Sequence, residues 1–337
     1  MANHLTSPQL QALAELLLRD PTGRRTAPLW QAAGVLPADA LAACIASFRP
    51  PLSMALVTGF CIVDADPPCA ETDGPPGTLF LASILRALGA QVALVCDDMS
   101  RQALEAGSEF LQLPNDRLHV CPSGPAQFVE RWATEFVADG RYSHLIAVER
   151  PGPSHTLASA SQGDAALAAE FAAAVPPDDC DRCHNMRGRD ISEYTAPAHR
   201  LFELAQQSGR RITTIGIGDG GNEIGFGAVP WIQLRDALGS EVGARIACRV
   251  PADHLLIAGT SDWGAYVLGV ALAAAAGRHD LITPAVVDRQ RDLLRHLVKT
   301  TSIVDGVTRR REATVDGLPL EEYLGLLREA VECVACD

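Results

Sequence analysis

The sequence predicts an α/β fold, a mostly parallel sheet flanked by helices, with an N-terminal helical arm in front of it. Three observations carry this reading. From residue 51 onward, short apolar runs alternate with stretches of helical periodicity, and parallel strands need such crossover connections. Most of these runs end in Gly, Asp, Asn or Pro before the next helical stretch begins. A length of 337 residues is ample for a buried core. Pro50-Pro51 marks the boundary between the arm, residues 1–50, and the α/β domain, residues 51–337.

In the arm, Ser7 can cap a helix over 7–18, and apolar spacing predicts a second over 37–47. The arm is expected either to cover the site or to close a homodimer. Strands are predicted over 54–59, 92–96, 144–148, 211–217, 245–250 and 255–257. Helices are predicted over 76–88, 102–106, 125–139, 195–207, 263–276, 285–298 and 321–333. Residues 152–183, rich in Ala, Ser, Asp and Pro with a short helix over 165–174, read as a flexible insertion or flap over the site.

Composition narrows the function classes. The net charge of −13 opposes binding to nucleic acid, whose phosphates need a basic surface. No stretch offers the ~20 apolar residues of a membrane span. Residues 1–12 show no basic segment followed by an apolar run, so the expected location is cytoplasmic. The single lysine, Lys299, lies at the end of a helical stretch, which excludes a Gly-x-x-x-x-Gly-Lys phosphate loop. The ten cysteines read mostly as buried thiols; Cys180/Cys183 and Cys333/Cys336 have metal-like spacing, and His184 completes a haem-attachment pattern. His144, His199 and His254 are read as packing residues, and Trp263 as part of the core.

In open α/β sheets ligands bind beyond the carboxyl ends of the strands. The residues there are acidic. The first core run leads to Glu71-Thr72-Asp73-Gly74-Pro75-Pro76-Gly77, the second to Asp97-Asp98, the third to Glu149-Arg150-Pro151-Gly152, and the fourth to Gly218-Asp219-Gly220-Gly221-Asn222-Glu223-Ile224-Gly225. So many carboxylates in one cleft would repel unless a cation or protons were shared, and hard oxygen ligands suit Mg²⁺, Mn²⁺ or Ca²⁺. Asp97 and Asp98 read instead as helix caps. The glycines around Asp219, Asn222 and Glu223 suggest backbone brought close to a ligand.

The first, third and fourth of these acidic strings, with Asn185-Met186-Arg187-Gly188-Arg189-Asp190-Ile191-Ser192 and the extension to Gly216 and Gly227, resemble in order the D-glutamate cyclase-like domain. In mitochondrial members this domain is the C-terminal half of a longer chain. The resemblance covers roughly residues 53–307; Ser261-Asp262-Trp263-Gly264 departs from the Ser-Asn-Trp-Gly pattern expected there. It implies a metal-dependent lyase that cyclises D-glutamate to 5-oxo-D-proline with loss of water, a reaction needing a base, a Lewis acid and a clamp on the acidic substrate. The expected metal ligands are Glu71, Asp73, Asp219, Asn222 and Glu223. Glu149 and Glu223 are the expected catalytic carboxylates. Arg150, Asn185, Arg187, Gly220 and Gly221 are the expected substrate contacts.

Two other readings compete. Gly218-Asp219-Gly220-Gly221-Asn222-Glu223 also looks like the metal-binding motif of haloacid dehalogenase-type phosphatases, with Asp64-Ala65-Asp66 as the nucleophile pair; Pro67 and the absence of a suitably placed lysine count against it. A non-catalytic module would use the glycine-rich turn to cradle an amino acid or nucleotide.

Overall fold

The computed structural model describes residues 4–114, 117–138, 142–208 and 212–335. In chain order the arm holds α1 (Ser7–Leu16), α2 (Thr26–Ala33) and α3 (Pro37–Ser47). The first half of the α/β region holds β1 (Ser53–Thr58), β2 (Cys61–Ile62), β3 (Cys69–Ala70), α4 (Pro75–Ala87), β4 (Gln91–Cys96), α5 (Asp98–Leu111), β5 (Leu118–Val120), α6 (Ala126–Ala138) and β6 (His144–Val148). Then follow α7 (Leu157–Ser161), α8 (Ala165–Ala174), α9 (His199–Gln207), β7 (Thr213–Gly218), α10 (Trp231–Leu238), α11 (Glu241–Ile246), β8 (His254–Ile257) and α12 (Ser261–Ala275). The chain closes with α13 (Pro284–Thr300), β9 (Thr314–Val315), β10 (Leu318–Pro319) and α14 (Leu320–Cys333).

The main sheet has the order β5-β4-β1-β6-β7-β8 and every pairing in it is parallel. Its central strands are continuous apolar runs because helices cover both faces; Met54, Ala55, Leu56 and Val57 of β1 are all fully buried. Chain order reverses between β1 and β6, so the crevice at their carboxyl ends is where the topology places a ligand. Beneath it runs α12, buried along its whole length. Its small residues allow close approach: a side chain at Gly264 would strike Ile217, and one at Gly269 would strike Phe80.

The arm shares this core. Leu13, Leu17, Leu29, Trp30 and Leu41 are buried with the sheet residues, and the Trp30 indole donates to the Ile257 carbonyl at 3.0 Å. Thr6, rather than Ser7, caps α1. The 152–183 segment, expected as a flexible flap, carries α7 and α8 and buries Phe171 and Val175 in the main core, with Phe171 edge-on to Trp231.

Several elements differ from the sequence reading. The strand expected over 245–250 is instead the end of α11, begun by a Ser240 cap, followed by extended backbone that makes only isolated bridges. Its apolar residues are buried as a strand's would be, but they pack against loops. The short helix expected over 102–106 extends over Asp98–Leu111, capped by Asp97 as anticipated; Gly107 continues the helix because Leu79 packs where a side chain would project. Helix α2 was not anticipated because Pro28 looks like a breaker, yet it sits in the first turn, where no intrahelical N–H is needed. The half-buried edge strand β5 and helix α10 were also not anticipated. Arg211, Asp139 and Cys336, which fell within expected elements or pairs, lie outside the described residues. No single described helix is long and apolar enough to cross a membrane, and the nine described cysteines are free thiols.

Candidate active site

Each strand of the crevice ends in a carboxylate or leads to one. β1 leads through the β2/β3 hairpin to Glu71 and Asp73, β6 ends before Glu149, β7 before Asp219 and Glu223, and β8 leads to Ser261 and Asp262 at the start of α12. The residue at 149 pays for its position with a left-handed backbone, φ 45°, where the chain turns sharply off β6. Six carboxylates gather here, Glu71, Asp73, Glu149, Asp219, Glu223 and Asp316, none more than 6% exposed. One oxygen each from Asp73, Asp219 and Asp316 lies within 4.8 Å of the others, and the same holds for Glu149, Asp219 and Glu223.

The glycine-rich loop is closely packed within the protein. Gly225, at φ 115°, lies against Gly216, where a side chain on either would meet backbone. The extended residues after α11 pin the loop through bonds from the Cys248 N–H to Gly221 and from the Gly225 N–H to Val250. Gly220 donates its N–H to Glu223 Oε1 at 3.0 Å, and a side chain there would collide with the Met186 sulfur and with Asn222 Oδ1. The amide of Asn222 donates to the His184 carbonyl at 2.8 Å, which fixes its Oδ1 on the other side.

Burial dominates the electrostatics. It pushes the carboxyls of Glu71, Asp73, Glu149 and Asp219 well above the usual carboxylate range, and raises Glu223 as well. Mutual repulsion adds to burial, chiefly from Asp316 on Glu71 and from Asp219 and Glu223 on Glu149. Arg24 opposes it, with Nη2 2.6 Å from Asp316 Oδ1 and Nε 3.3 Å from Asp219 Oδ2. The latter contact is an ion pair without hydrogen-bond alignment. Buried oxygens without a hydrogen-bond partner remain on Glu71, Asn222, Glu223 and Asp316. Orphaned hard oxygens around a surplus of negative charge fit the donor set of a divalent cation.

The cluster therefore includes Glu71, Asp73, Glu149, Asp219, Asn222 and Glu223, as the sequence suggested. Of the other expected contacts, Gly220 lies in the cluster against Glu223, and the rest are engaged with protein groups. Arg150 is fully buried and spends its guanidinium on Asp97 (2.6 Å), the Gly59 carbonyl (2.8 Å) and the Ala196 carbonyl, so it is a structural tie. Asn185 accepts the N–H groups of Arg187 and Arg189 and shapes its own loop. Arg187 is half exposed and pairs with Asp64 alongside Arg189. That arrangement also removes Asp64 from the phosphatase reading, because its carboxylate is bound to two arginines away from the cluster. Gly221 packs on Leu234 and Leu238.

Sequence reasoning missed Asp316, Arg24, Ser261 and Asp262. Asp316-Gly317 joins β9 to β10 as a two-residue turn with both residues at positive φ, the pattern that Asp-Gly favours, so that signal was present. Asp305 fixes the turn by accepting the Gly317 N–H at 2.8 Å. Arg24 had no local signal; Asp20 positions it by accepting the N–H groups of Arg24 and Arg25. Ser261 donates its hydroxyl to Glu149 Oε2. A cavity of about 1000 Å³ opens at the opposite end of the strands between His144, Thr213 and His254 and is lined by none of these carboxylates. We therefore locate the chemistry by the convergence of functional groups rather than by volume.

Comparison with known proteins identifies the family. The family profile described as D-glutamate cyclase-like, C-terminal, matches residues 13–163 and 174–331; the intervening gap coincides with most of α8. The human protein named D-glutamate cyclase, mitochondrial, is 31% identical over 238 residues, which is 65% of this chain and 32% of the human one. The match thus spans about a third of that relative's length.

Proposed function

Because the chain belongs to the D-glutamate cyclase-like, C-terminal family, we propose that it is a metal-dependent cyclase converting D-glutamate to 5-oxo-D-proline and water at the buried carboxylate cluster. The observation that carries this reading is the convergence of Glu149, Asp219 and Glu223 within 4.8 Å at the carboxyl ends of β6 and β7. Asp73, Asp219, Asp316, Glu149 and Glu223, with Asn222, would hold Mg²⁺ or Mn²⁺, or alternatively Ca²⁺. When bound, such an ion supplies Lewis acidity toward the substrate's γ-carboxylate and neutralises the cluster.

The proton inventory explains why two carboxylates suit the reaction. Substrate nitrogen begins as an ammonium and ends as an amide N–H, so it loses two protons. The departing carboxylate oxygen gains two and leaves as water. Glu149, oriented by Ser261, and Glu223, held by the Gly220 N–H, are the groups we assign to this transfer. In the metal-free chain burial favours the proton-bearing forms of both carboxyls, and a bound cation would lower them toward release. Asn185 and Arg187 lie on the loop that carries Met186 against Gly220, and we retain them as contacts for the incoming acidic substrate. The free thiols fit a reducing compartment, and we place the activity in the cytoplasm.

The test uses metal-stripped protein incubated with D-glutamate, L-glutamate and related acids, with Mg²⁺, Mn²⁺ or Ca²⁺ added back and 5-oxoproline measured by chromatography. Product from D-glutamate only when metal is restored supports the proposal. Calorimetric binding of D-glutamate without product would make the chain a binding module instead.

A further inference from the structure

We propose that the cluster holds two divalent cations side by side, one among Asp73, Asp219 and Asp316 and the other among Glu149, Asp219 and Glu223, with Asp219 bridging them. This deepens the metal-dependent reading above and rests on it. The two sets share only Asp219, and each separately brings its oxygens within 4.8 Å of one another, the spread expected around a single ion. A carboxylate offers one oxygen to each of two neighbours, as in sites whose ions stand about 3.5–4 Å apart.

An independent observation assigns a further ligand to each set. Glu71 and Asn222 belong to neither triad, yet both are buried and each has an oxygen without a hydrogen-bond partner. A methyl group built on Gly306 would lie 2.5 Å from Glu71 Oε2 and 3.6 Å from Asp316 Oδ1, so Glu71 lies by the first set while also bonding Glu149 of the second. One built on Gly220 would lie 2.7 Å from Asn222 Oδ1 and 3.1 Å from Glu223 Oε1, which places Asn222 beside the second. Asn222 is neutral, so its buried, unpaired oxygen calls for a donor or a cation, and an ion among Glu149, Asp219 and Glu223 would supply the latter.

Charge supports the same count. Fully ionised, as metal ligands must be, the six carboxylates with Arg24 would carry −5. One divalent ion would leave −3 in a buried site, and two would leave −1. Arg24 pairs with Asp316, which belongs to the first set alone, and with the shared Asp219, so an ion in the first set competes with its guanidinium at two ligands and one in the second set at Asp219 only. The sites are therefore unequal, with the Asp73–Asp219–Asp316 ion the weaker.

Titrating the full metal-free chain with Mn²⁺, followed by calorimetry and electron paramagnetic resonance without substrate, tests this. The expected result is about two ions per chain and an exchange-coupled signal from ions bridged by one carboxylate. Asp316→Asn and Glu223→Gln should each lose one ion and the coupling, and Arg24→Met should tighten the weaker site. These amide replacements are isosteric, and circular dichroism checks their fold; the native chain's stoichiometry and spectrum decide the matter without them. One ion per native chain, or two without coupling, overturns the bridged pair but leaves a metal-dependent enzyme. No bound ion at all overturns the metal reading itself.

Discussion

Asp73 and Asp262 cap each other's helices. Asp73, just before α4, accepts the N–H groups of Ser261 and Asp262 at the start of α12, both at 2.9 Å. Asp262 in turn accepts those of Gly74 at 3.0 Å and Gly77 at 2.6 Å at the start of α4. Two helix N-termini, each with orphan donors and a positive end, are thus joined across the floor of the site. The exchange fixes Asp73 where its carboxylate meets Asp219 and Asp316.

The first prediction concerns Asp262→Asn. Burial raises the Asp262 carboxyl to about 7, although Tyr323, Gly77 and Gly74 donate to it. Asparagine keeps the oxygen that accepts both backbone N–H groups. Its NH₂ can donate to the Tyr323 oxygen, whose hydroxyl then turns to Tyr266, 2.6 Å away. The variant's stability relative to the native chain should rise by about 2–3 kcal/mol between pH 5 and pH 8, as the native carboxylate becomes charged in a dry site. An equal loss of stability at both pH values in chemical denaturation would mean that the caps depend on charge rather than on acceptor geometry.

The second follows from the raised carboxyls as a group. A carboxyl whose folded-state pKa lies above its unfolded value binds more protons when folded, so its favourable contribution is complete below the unfolded value and disappears as pH rises through the folded one. For Asp262 that window runs from 3.8 to about 7, and the raised carboxyls of Glu71, Asp73, Glu149 and Asp219 act in the same direction. Metal-free protein should therefore melt at progressively lower temperature from pH 5 to pH 8, and saturating Mn²⁺ should remove most of that slope. A flat metal-free profile would show that the acids are not confined together.

Third, Arg24 neutralises Asp219 and Asp316 from within a mostly buried position. Removing one partner of a buried pair leaves uncompensated charge, so Arg24→Met should cost metal-free protein about 3 kcal/mol at pH 7. The cost should shrink at pH 5, where protons replace the guanidinium. A cost independent of pH would assign Arg24 to packing alone.

What the sequence made legible divides by range. Carboxylates placed directly after apolar runs, Glu149 and Asp219, could be located because strand ends in a parallel sheet share one edge. Asp316 and Arg24 could not, because a hairpin near the C-terminus and a loop in the arm reach the site only through packing. Arg150 misled for the opposite reason: it follows Glu149 directly, but successive residues at a strand end point apart, and its guanidinium goes to Asp97. The run at 245–250 shows that apolarity reports burial more faithfully than it reports strand pairing.

The last prediction separates the proposed acid/base group from the hydroxyl that orients it. Glu149 stands on a strained backbone with Ser261 donating to its Oε2, so the carboxyl has a fixed direction toward Asp219 and Glu223. Glu149→Gln preserves shape and removes proton transfer, and should lower kcat by about 10²–10⁴ at every pH. Ser261→Ala leaves the carboxyl in place but removes a hydrogen bond that favours its charged form, so its pKa should rise. The rising limb of kcat/KM against pH should then shift upward while the plateau is largely kept. Were Ser261→Ala instead to lower the plateau with no movement of the limb, the hydroxyl would be acting on the substrate directly and Glu149 would lose its assigned role as the group whose protonation sets the rate.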